Sequence, residues 1–442
     1  MTEREFAIDV VRRLREAGFQ ALWAGGCVRD QLLGLSPKDF DVATDARPED
    51  VQRLFRRTVT VGASFGVVEV LGPTPLKVQI ATFRADVSYS DGRRPDAVVF
   101  TSAREDALRR DFTINGMFFD PLENQVIDYA GGQKDLEARV LRAIGDPAER
   151  FAEDKLRLLR AIRFATHYEL SFDPATEVAL RAMAEQISVV SAERIAEELR
   201  RLLVDPHRRR GMELFVDMGL AQAVIPELLE MKGVPQGPPD APTGDLWEHV
   251  LRVLDLLGPE PSFPLAFAAL LHDVGKKRTM GRTPDRYTFY YHEHVGRRMT
   301  SDICRRLKLS NADRERIEWL VEKHQFLCEA PQMRKSKLKV ILIHPGIHEL
   351  LALHRADARA SGRSEDHVDF CEQCLRHWSV QELDPPPLIT GDDLVRNGLE
   401  PGPHFKTVLN AVREAQLEGT ISTAEQAIAF AFRLFPGNKD EK

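Results

Sequence analysis

What this sequence lacks narrows it before any motif is read. No stretch is apolar for long enough to span a bilayer, and residues 1–18 read as a charged amphipathic helix without the apolar run of a secretory signal. Neither a membrane protein nor an exported one is expected. Cysteine is scarce: five in 442 residues, an odd number scattered along the chain, fits a reducing compartment, the cytoplasm, rather than a disulfide framework. Cys371 and Cys374 form one C-x-x-C pair, and without a second pair they read as unbonded thiols on a helix rather than zinc ligands. A basic excess is missing too. With 61 Lys and Arg against 68 Asp and Glu the net charge is −7, so any nucleic-acid contact must come from local patches. There is no internal repeat and no low-complexity tract, and oligomeric state is left open.

The length is too great for one core and implies several domains. Up to about residue 130 the pattern mixes helix with short alternating segments such as 66–71 and 77–83, which reads as an α+β head with a small mixed sheet. Beyond about 135 the periodicity is helical, clearest at 151–166 and 193–203. Residues 234–244 carry four prolines and read as a linker, and Pro385-Pro386-Pro387 opens a small tail. The expected division is a head at 1–138, then all-helical parts: a neck at 139–205, a body with linker at 206–240, a further domain at 241–380 and the tail at 381–442.

Chemistry is concentrated near the start. Residues 21–24 read as a buried strand, Gly25 and Gly26 as a tight turn, and 28–33 as a helix whose N-terminus suits a phosphate. Asp39-Phe40-Asp41-Val42 then alternates polar and apolar, so on a strand both carboxylates share one face while Phe40 and Val42 pack behind. Two anions side by side call for cations. Oxygen-only ligands suit Mg²⁺, which is readily shared with substrate phosphates, and the pairing points to metal-dependent nucleotidyl transfer.

Gly25-Gly26-x-Val28-Arg29-Asp30-x-Leu32-Leu33-Gly34, with Asp39-Phe40-Asp41-Val42-Ala43-Thr44, resembles the signature of class II tRNA nucleotidyltransferases and bacterial poly(A) polymerases. The head of that family is DNA polymerase β-like. The likeness continues through Thr82-Phe83-Arg84, residues 89–93, residues 109–115, Gly131-Gly132 and residues 144–147, and so covers most of the first 200 residues. It implies that Asp39 and Asp41 hold Mg²⁺, that Gly26, Arg29, Asp30 and Asn115 belong to the nucleotide site, and that Arg109, Arg110 and Asp111 meet the triphosphate and ribose. One position departs. Many relatives carry a glutamate on the strand entering Thr82-Phe83-Arg84, where this chain has Gln79, and an amide cannot act as a base.

Asp154 and Arg157 fall three apart on an expected helix and present an acceptor beside donors. Cytosine and adenine each offer an amino group next to a ring acceptor, so both match that edge, whereas guanine and uracil place a carbonyl there. In the family context the protein itself would select CTP and ATP, with Arg160 steadying the base. The loop at 85–96 matches the element that lets relatives pass from C to A addition, and residues 61–66 lack the basic run usual in poly(A) polymerases. The expected substrate is the 3′ end of tRNA. Poly(A) addition and A-only or CC-only addition are the alternatives within the family. Arg93-Arg94, Arg200-Arg201, Arg208-Arg209-Arg210 and residues 334–339 are candidate backbone contacts for RNA.

Further on, His249, His272-Asp273 before Val274-Gly275-Lys276, His292, His324 and Asp357 follow an order resembling the HD phosphohydrolase superfamily. Imidazole with carboxylate suits Mn²⁺, Ni²⁺, Fe²⁺ or a similar divalent transition metal. His294 lies beside His292, but His292-Glu293-x-x-Gly296 fits the pattern better; His344, His348 and His354 read as structural. The tail resembles the C-terminal piece of HD-bearing tRNA nucleotidyltransferases and implies RNA support. A reading from another class makes the chain an HD-type phosphodiesterase whose head only binds RNA, and a third makes it a non-catalytic RNA chaperone. The intact aspartates and Arg109-Arg110-Asp111 run of the head argue against the first of these, and two complete ligand sets argue against the second.

Overall fold

In the computed structural model, residues 1–37, 39–62, 66–86, 98–237 and 244–435 are described. Most of the loop at 85–96, Arg93-Arg94 and part of the 61–66 segment lie outside them. The chain falls into two compact units, one of residues 1–229 with 306–308, the other of the remainder.

The first unit begins with a helix, Glu3–Glu16, that Thr2 and Glu5 cap reciprocally and that buries Phe6, Ala7, Val10, Val11 and Leu14 at helical spacing. Its head is built on a seven-stranded mixed sheet. The strands are β1 (Ala21–Ala24), β2 (Asp41–Thr44), β3 (Thr58–Gly62), β4 (Val67–Leu71) and β5 (Lys77–Thr82), then β6 (Arg84–Asp86) and β7 (Val98–Phe100), which form a separate hairpin, and β8 (Met117–Asp120) and β9 (Gln125–Asp128). The order is β3-β4-β5-β2-β1-β8-β9. β2 runs antiparallel to β1, with Ala24 opposite Asp41, and parallel to β5, with Val42 beside Ile80. One step back along that register sets Gln79 on the same face as Asp41, and Glu69 of β4 lies opposite Gln79.

Helices follow, and one expected element is divided. The 151–166 segment is not continuous: a helix ends at Glu153, Asp154 is extended at φ −144° and ψ 107°, and a second helix runs Leu156–His167. The cause is local. The Asp154 carboxylate accepts from the Leu156 amide at 3.0 Å, a bond that competes with the helical ladder. The expected linker also carries structure, since Pro235–Gln236 pairs with Gly244–Asp245.

The second unit is helical, and its centre is the helix Phe263–Leu271, buried along nearly its whole length. A helix apolar all round must be surrounded, and Leu246–Asp255, Asn311–Lys323 and Ile347–Ala360 pack about it. Cys371 and Cys374 lie unbonded on the helix Asp366–His377, as expected. The tail builds its own core from Leu394, Val408, Val412 and Ala427. Among the described residues no helix is long and apolar enough to cross a membrane.

Candidate active site and metal centre

In the head, the turn after β1 and the entry to β2 lie side by side. Gly25 has φ +74° and ψ −125°, a conformation that side chains resist, and a Cβ there would stand 3.4 Å from the Arg110 guanidinium. The turn starts the helix Gly26–Leu32, close to the 28–33 expected. Asp39 and Asp41 are exposed, while Phe40 and Val42 are buried, with Phe40 4.7 Å from the Trp23 ring. The alternation therefore puts both carboxylates on one side. No hydrogen bond or ion pair engages either carboxylate among the described residues. Loss of surrounding water and the charge of Asp39 push the Asp41 carboxyl up to about 6, with Arg110 pulling the other way. A carboxylate pair in that condition fits a divalent cation by its donor chemistry.

The cations nearby are held by carboxylates behind them. Asp106, 2% exposed, accepts from Arg109 at 2.8 Å and from Arg110 at 3.0 Å, and Arg110 also reaches the Asn115 carbonyl at 3.1 Å. Burial opposes the Asp106 charge, but the two guanidiniums more than offset this and keep its pKa low. Arg29 bonds to Asp30 at 3.0 Å and to the Asn115 side chain, and lies 4.3 Å over the Tyr168 ring, whose hydroxyl donates to Asp30 at 2.8 Å. Asp111 is buried and accepts from Arg160 at 2.7 and 2.9 Å, from the Asn115 amide at 2.9 Å and from the Phe112 N–H. Against its burial, Arg160 and Asn115 hold its carboxyl far below the usual range.

Asp154 and Arg157 do not bond to each other through their side chains. Arg194 grips the Asp154 carboxylate at 2.7 and 3.2 Å, while Arg157, 8% exposed, donates to the Arg150 carbonyl at 2.8 Å and pairs with Glu153. The break between the helices leaves the two one turn apart, with the Arg157 N–H on the Asp154 carbonyl at 3.0 Å. Asp106, Tyr168 and Arg194 were not foreseen. Asp106 was findable three and four residues ahead of Arg109 and Arg110. Tyr168 and Arg194 come from 138 and 40 residues away and left no local mark.

Within the expected patch Arg208-Arg209-Arg210, the first arginine is turned inward and the third is partly engaged. Arg208 is 1% exposed and donates to the Leu203 carbonyl at 3.1 Å, and Arg210 donates to the Leu170 carbonyl at 2.6 Å. These guanidiniums satisfy carbonyls inside the helical packing. Arg201 pairs with Glu197, and Arg334 with Glu414, each at 3.1 Å.

In the second unit all six expected ligands converge, as two adjoining triads: His249, His272 and Asp357, and Asp273, His292 and His324. The His249 and His272 Nε2 atoms are 3.3 Å apart and those of His292 and His324 3.2 Å apart, with Asp273 at 3.1 Å from His272 and 3.2 Å from His292. His272, His292 and His324 each turn Nδ1 onto the carbonyl three residues earlier, at 2.7 to 2.8 Å, which leaves Nε2 aimed inward. Asp273 Oδ1 is buried without a hydrogen-bond partner. Four imidazole nitrogens pressed this close around such a carboxylate fit divalent ions. Burial would favour a neutral Asp273, but His272 and Lys276 hold it ionised, and burial keeps His324 neutral. Gly275 is required by approach: a Cβ there would meet the His292 carbonyl at 2.3 Å. His294 is exposed, 3.7 Å from Glu322 and outside the triads.

Comparison with known proteins matches three domain families along the chain. The poly(A) polymerase head domain family matches residues 21–142, the family described as the probable RNA and SrmB-binding site of polymerase A matches 169–232, and the HD domain family matches 246–360. An A-adding tRNA nucleotidyltransferase of Deinococcus radiodurans is 32% identical over 93% of this chain and 95% of its own length. A CCA-adding enzyme of Streptococcus mutans is 30% identical over 97% and 96%. A CCA-adding enzyme of Lactobacillus helveticus is 38% identical over 57% of this chain, and the match spans 63% of that enzyme. The fold is that of the Bacillus stearothermophilus CCA-adding enzyme solved with CTP, at a TM-score of 0.74 and 24% identity over 98% of both chains.

Proposed function

The chain belongs to the tRNA nucleotidyltransferase family, and on that premise we propose that it adds C, C and A to tRNA 3′ ends from CTP and ATP without a nucleic-acid template. The observation that carries this reading is the exposed carboxylate couple Asp39 and Asp41, unpaired among the described residues, beside a cationic wall fixed by Asp106, Asn115 and Asp30. Asp39 and Asp41 would hold two Mg²⁺ ions, which when bound stabilise charge on the attacking and leaving oxygens of the reaction. Arg110 and Arg29 bind phosphate oxygens from fixed positions, so little ordering is needed when the nucleotide arrives. Asp111, its lone pairs occupied, positions Arg160 and Asn115.

Base choice falls to Asp154 and Arg157. The carboxylate accepts from the exocyclic amino group of cytosine or adenine while the guanidinium donates to the ring nitrogen alongside. A guanine or uracil carbonyl facing Asp154 leaves two acceptors opposed, a mismatch that a partly buried site penalises strongly. Supplying tRNA that lacks three, two or one terminal nucleotides, with CTP and ATP separately and together, reads the activity from product length. Extension by CCA supports the proposal; extension only of the tRNA lacking its last A would instead assign the specificity named for the Deinococcus relative, the second reading that comparison favours.

For the HD domain we infer a phosphohydrolase activity. The two triads would hold Mn²⁺, Ni²⁺, Fe²⁺ or a similar ion, which when bound lowers the pKa of water enough to make it a nucleophile at neutral pH. Lys276, 2.7 Å from Asp273, keeps that carboxylate ionised and oriented. Hydrolysis of a model phosphodiester that vanishes in Asp273→Ala supports this; hydrolysis that survives the substitution rejects it.

A further inference from the structure

Outside the six ligands already assigned, one more set of metal-binding side chains meets in the second unit. Ligand atoms of Cys328, His354 and His367 lie within 4.8 Å of one another. They line a cavity of about 130 Å³ whose wall also includes Asp357 and Arg363. Three separate elements contribute: the turn after Asn311–Lys323, the helix Ile347–Ala360 and the helix Asp366–His377. We propose that this cavity is a separate site for a divalent ion of the zinc class, with Cys328 thiolate and the imidazoles of His354 and His367 as its protein ligands.

The donor chemistry and the hydrogen bonding both favour it. His354, 2% exposed, points Nε2 at the Lys323 carbonyl at 3.2 Å. A carbonyl only accepts, so Nε2 carries the proton and Nδ1 carries the lone pair. This is the tethering seen in the triads, with the two ring nitrogens exchanged. The His354 and His367 rings are 5.4 Å apart, centre to centre. Zinc takes sulfur and nitrogen at about 2.0–2.3 Å, so small side-chain rotations close three atoms already gathered within 4.8 Å onto one ion. A thiolate with two imidazoles selects a borderline-soft ion against Mg²⁺. The fourth position opens on the side of the exposed Cys328. Asp357 separates this site from the paired triads: one of its oxygens faces His249 at 3.2 Å and the other Arg363 at 2.8 Å. An ion here would fasten the helix Asp366–His377 to the helix that carries Asp357.

Cobalt distinguishes the sites, because only sulfur ligation gives a strong near-ultraviolet thiolate-to-metal charge-transfer band. The full chain is stripped with chelator and titrated with Co²⁺. We expect that band to grow to one equivalent, to vanish in Cys328→Ser and in His367→Ala, and to persist in Cys371→Ser and in His292→Ala, which disables one triad. Zinc content measured by elemental analysis falls by one equivalent in Cys328→Ser. The position is exposed, so the fold survives that change. Absence of the band in the unsubstituted chain, or its persistence in Cys328→Ser, overturns the site, and neither result bears on nucleotide addition or on the paired triads.

Discussion

Asp41 concentrates the chemistry of the head in one side chain, and its raised pKa gives it a pH signature. With a carboxyl near 6, a proton competes with the metal below that value and not above it. The Mg²⁺ concentration for half-maximal addition should accordingly rise about tenfold per pH unit below 6 and stay level above it; a level response through pH 5 would show that the carboxyl is not raised. Asp41→Asn should remove addition by more than the roughly 10–100-fold typical of changes one shell further out, with thermal unfolding little altered. Asp106→Asn behaves differently. It leaves two guanidiniums without their buried partner, which costs about 3–5 kcal/mol of stability and raises KM for both nucleotides. Unfolding and kinetics measured on one preparation would show whether the two losses travel together.

At the scale of elements, the turn between β1 and its helix lies against Arg110. Gly25→Ala forces a backbone conformation that costs about 1–3 kcal/mol and so shifts the turn that lies against Arg110, and a drop in melting temperature with weakened nucleotide binding is expected. Unaltered binding in a destabilised variant would assign Gly25 to folding alone. Such turns were legible because their signals are local. Two glycines after an apolar run marked the turn, and strict alternation at residues 39–42 set the facing of the carboxylates. His272-Asp273 at the end of an apolar helix was equally plain. The helix break at Asp154 was missed because helical periodicity continues on both sides of it, and only the side chain's bond to the Leu156 amide interrupts the ladder. Arg208 misled for the opposite reason: three consecutive arginines look like a surface patch, yet a buried carbonyl of Leu203 claims the first. Cys328, His354 and His367 were not linked in advance, since 39 residues of three different elements separate the first from the last.

For the whole molecule, each compact unit carries its own candidate centre among the described residues: Asp39 and Asp41 in the first, the two triads in the second. The two chemistries should therefore be separable by substitution. His292→Ala is expected to abolish phosphodiester hydrolysis and leave product lengths in tRNA extension unchanged. An ion in the triads at about 100 times its dissociation constant adds about 2.7 kcal/mol to the unit that binds it. Calorimetry of the full chain should thus show a transition that a chelator moves down in temperature and that His292→Ala renders insensitive to the chelator. A single transition indifferent to both would argue against ion binding there.

The imidazoles of His272, His292 and His324 each lean on the carbonyl three residues earlier in the chain rather than on a distant partner. Their aim is thus inherited from the backbone, and no supporting side chain has to be retained for it. A lineage, or a designer, can replace Asp273 or Asp357 to retune which ion is preferred while the nitrogens go on pointing at the same spot. Loss of hydrolysis and loss of metal capture need not coincide when such a protein diverges.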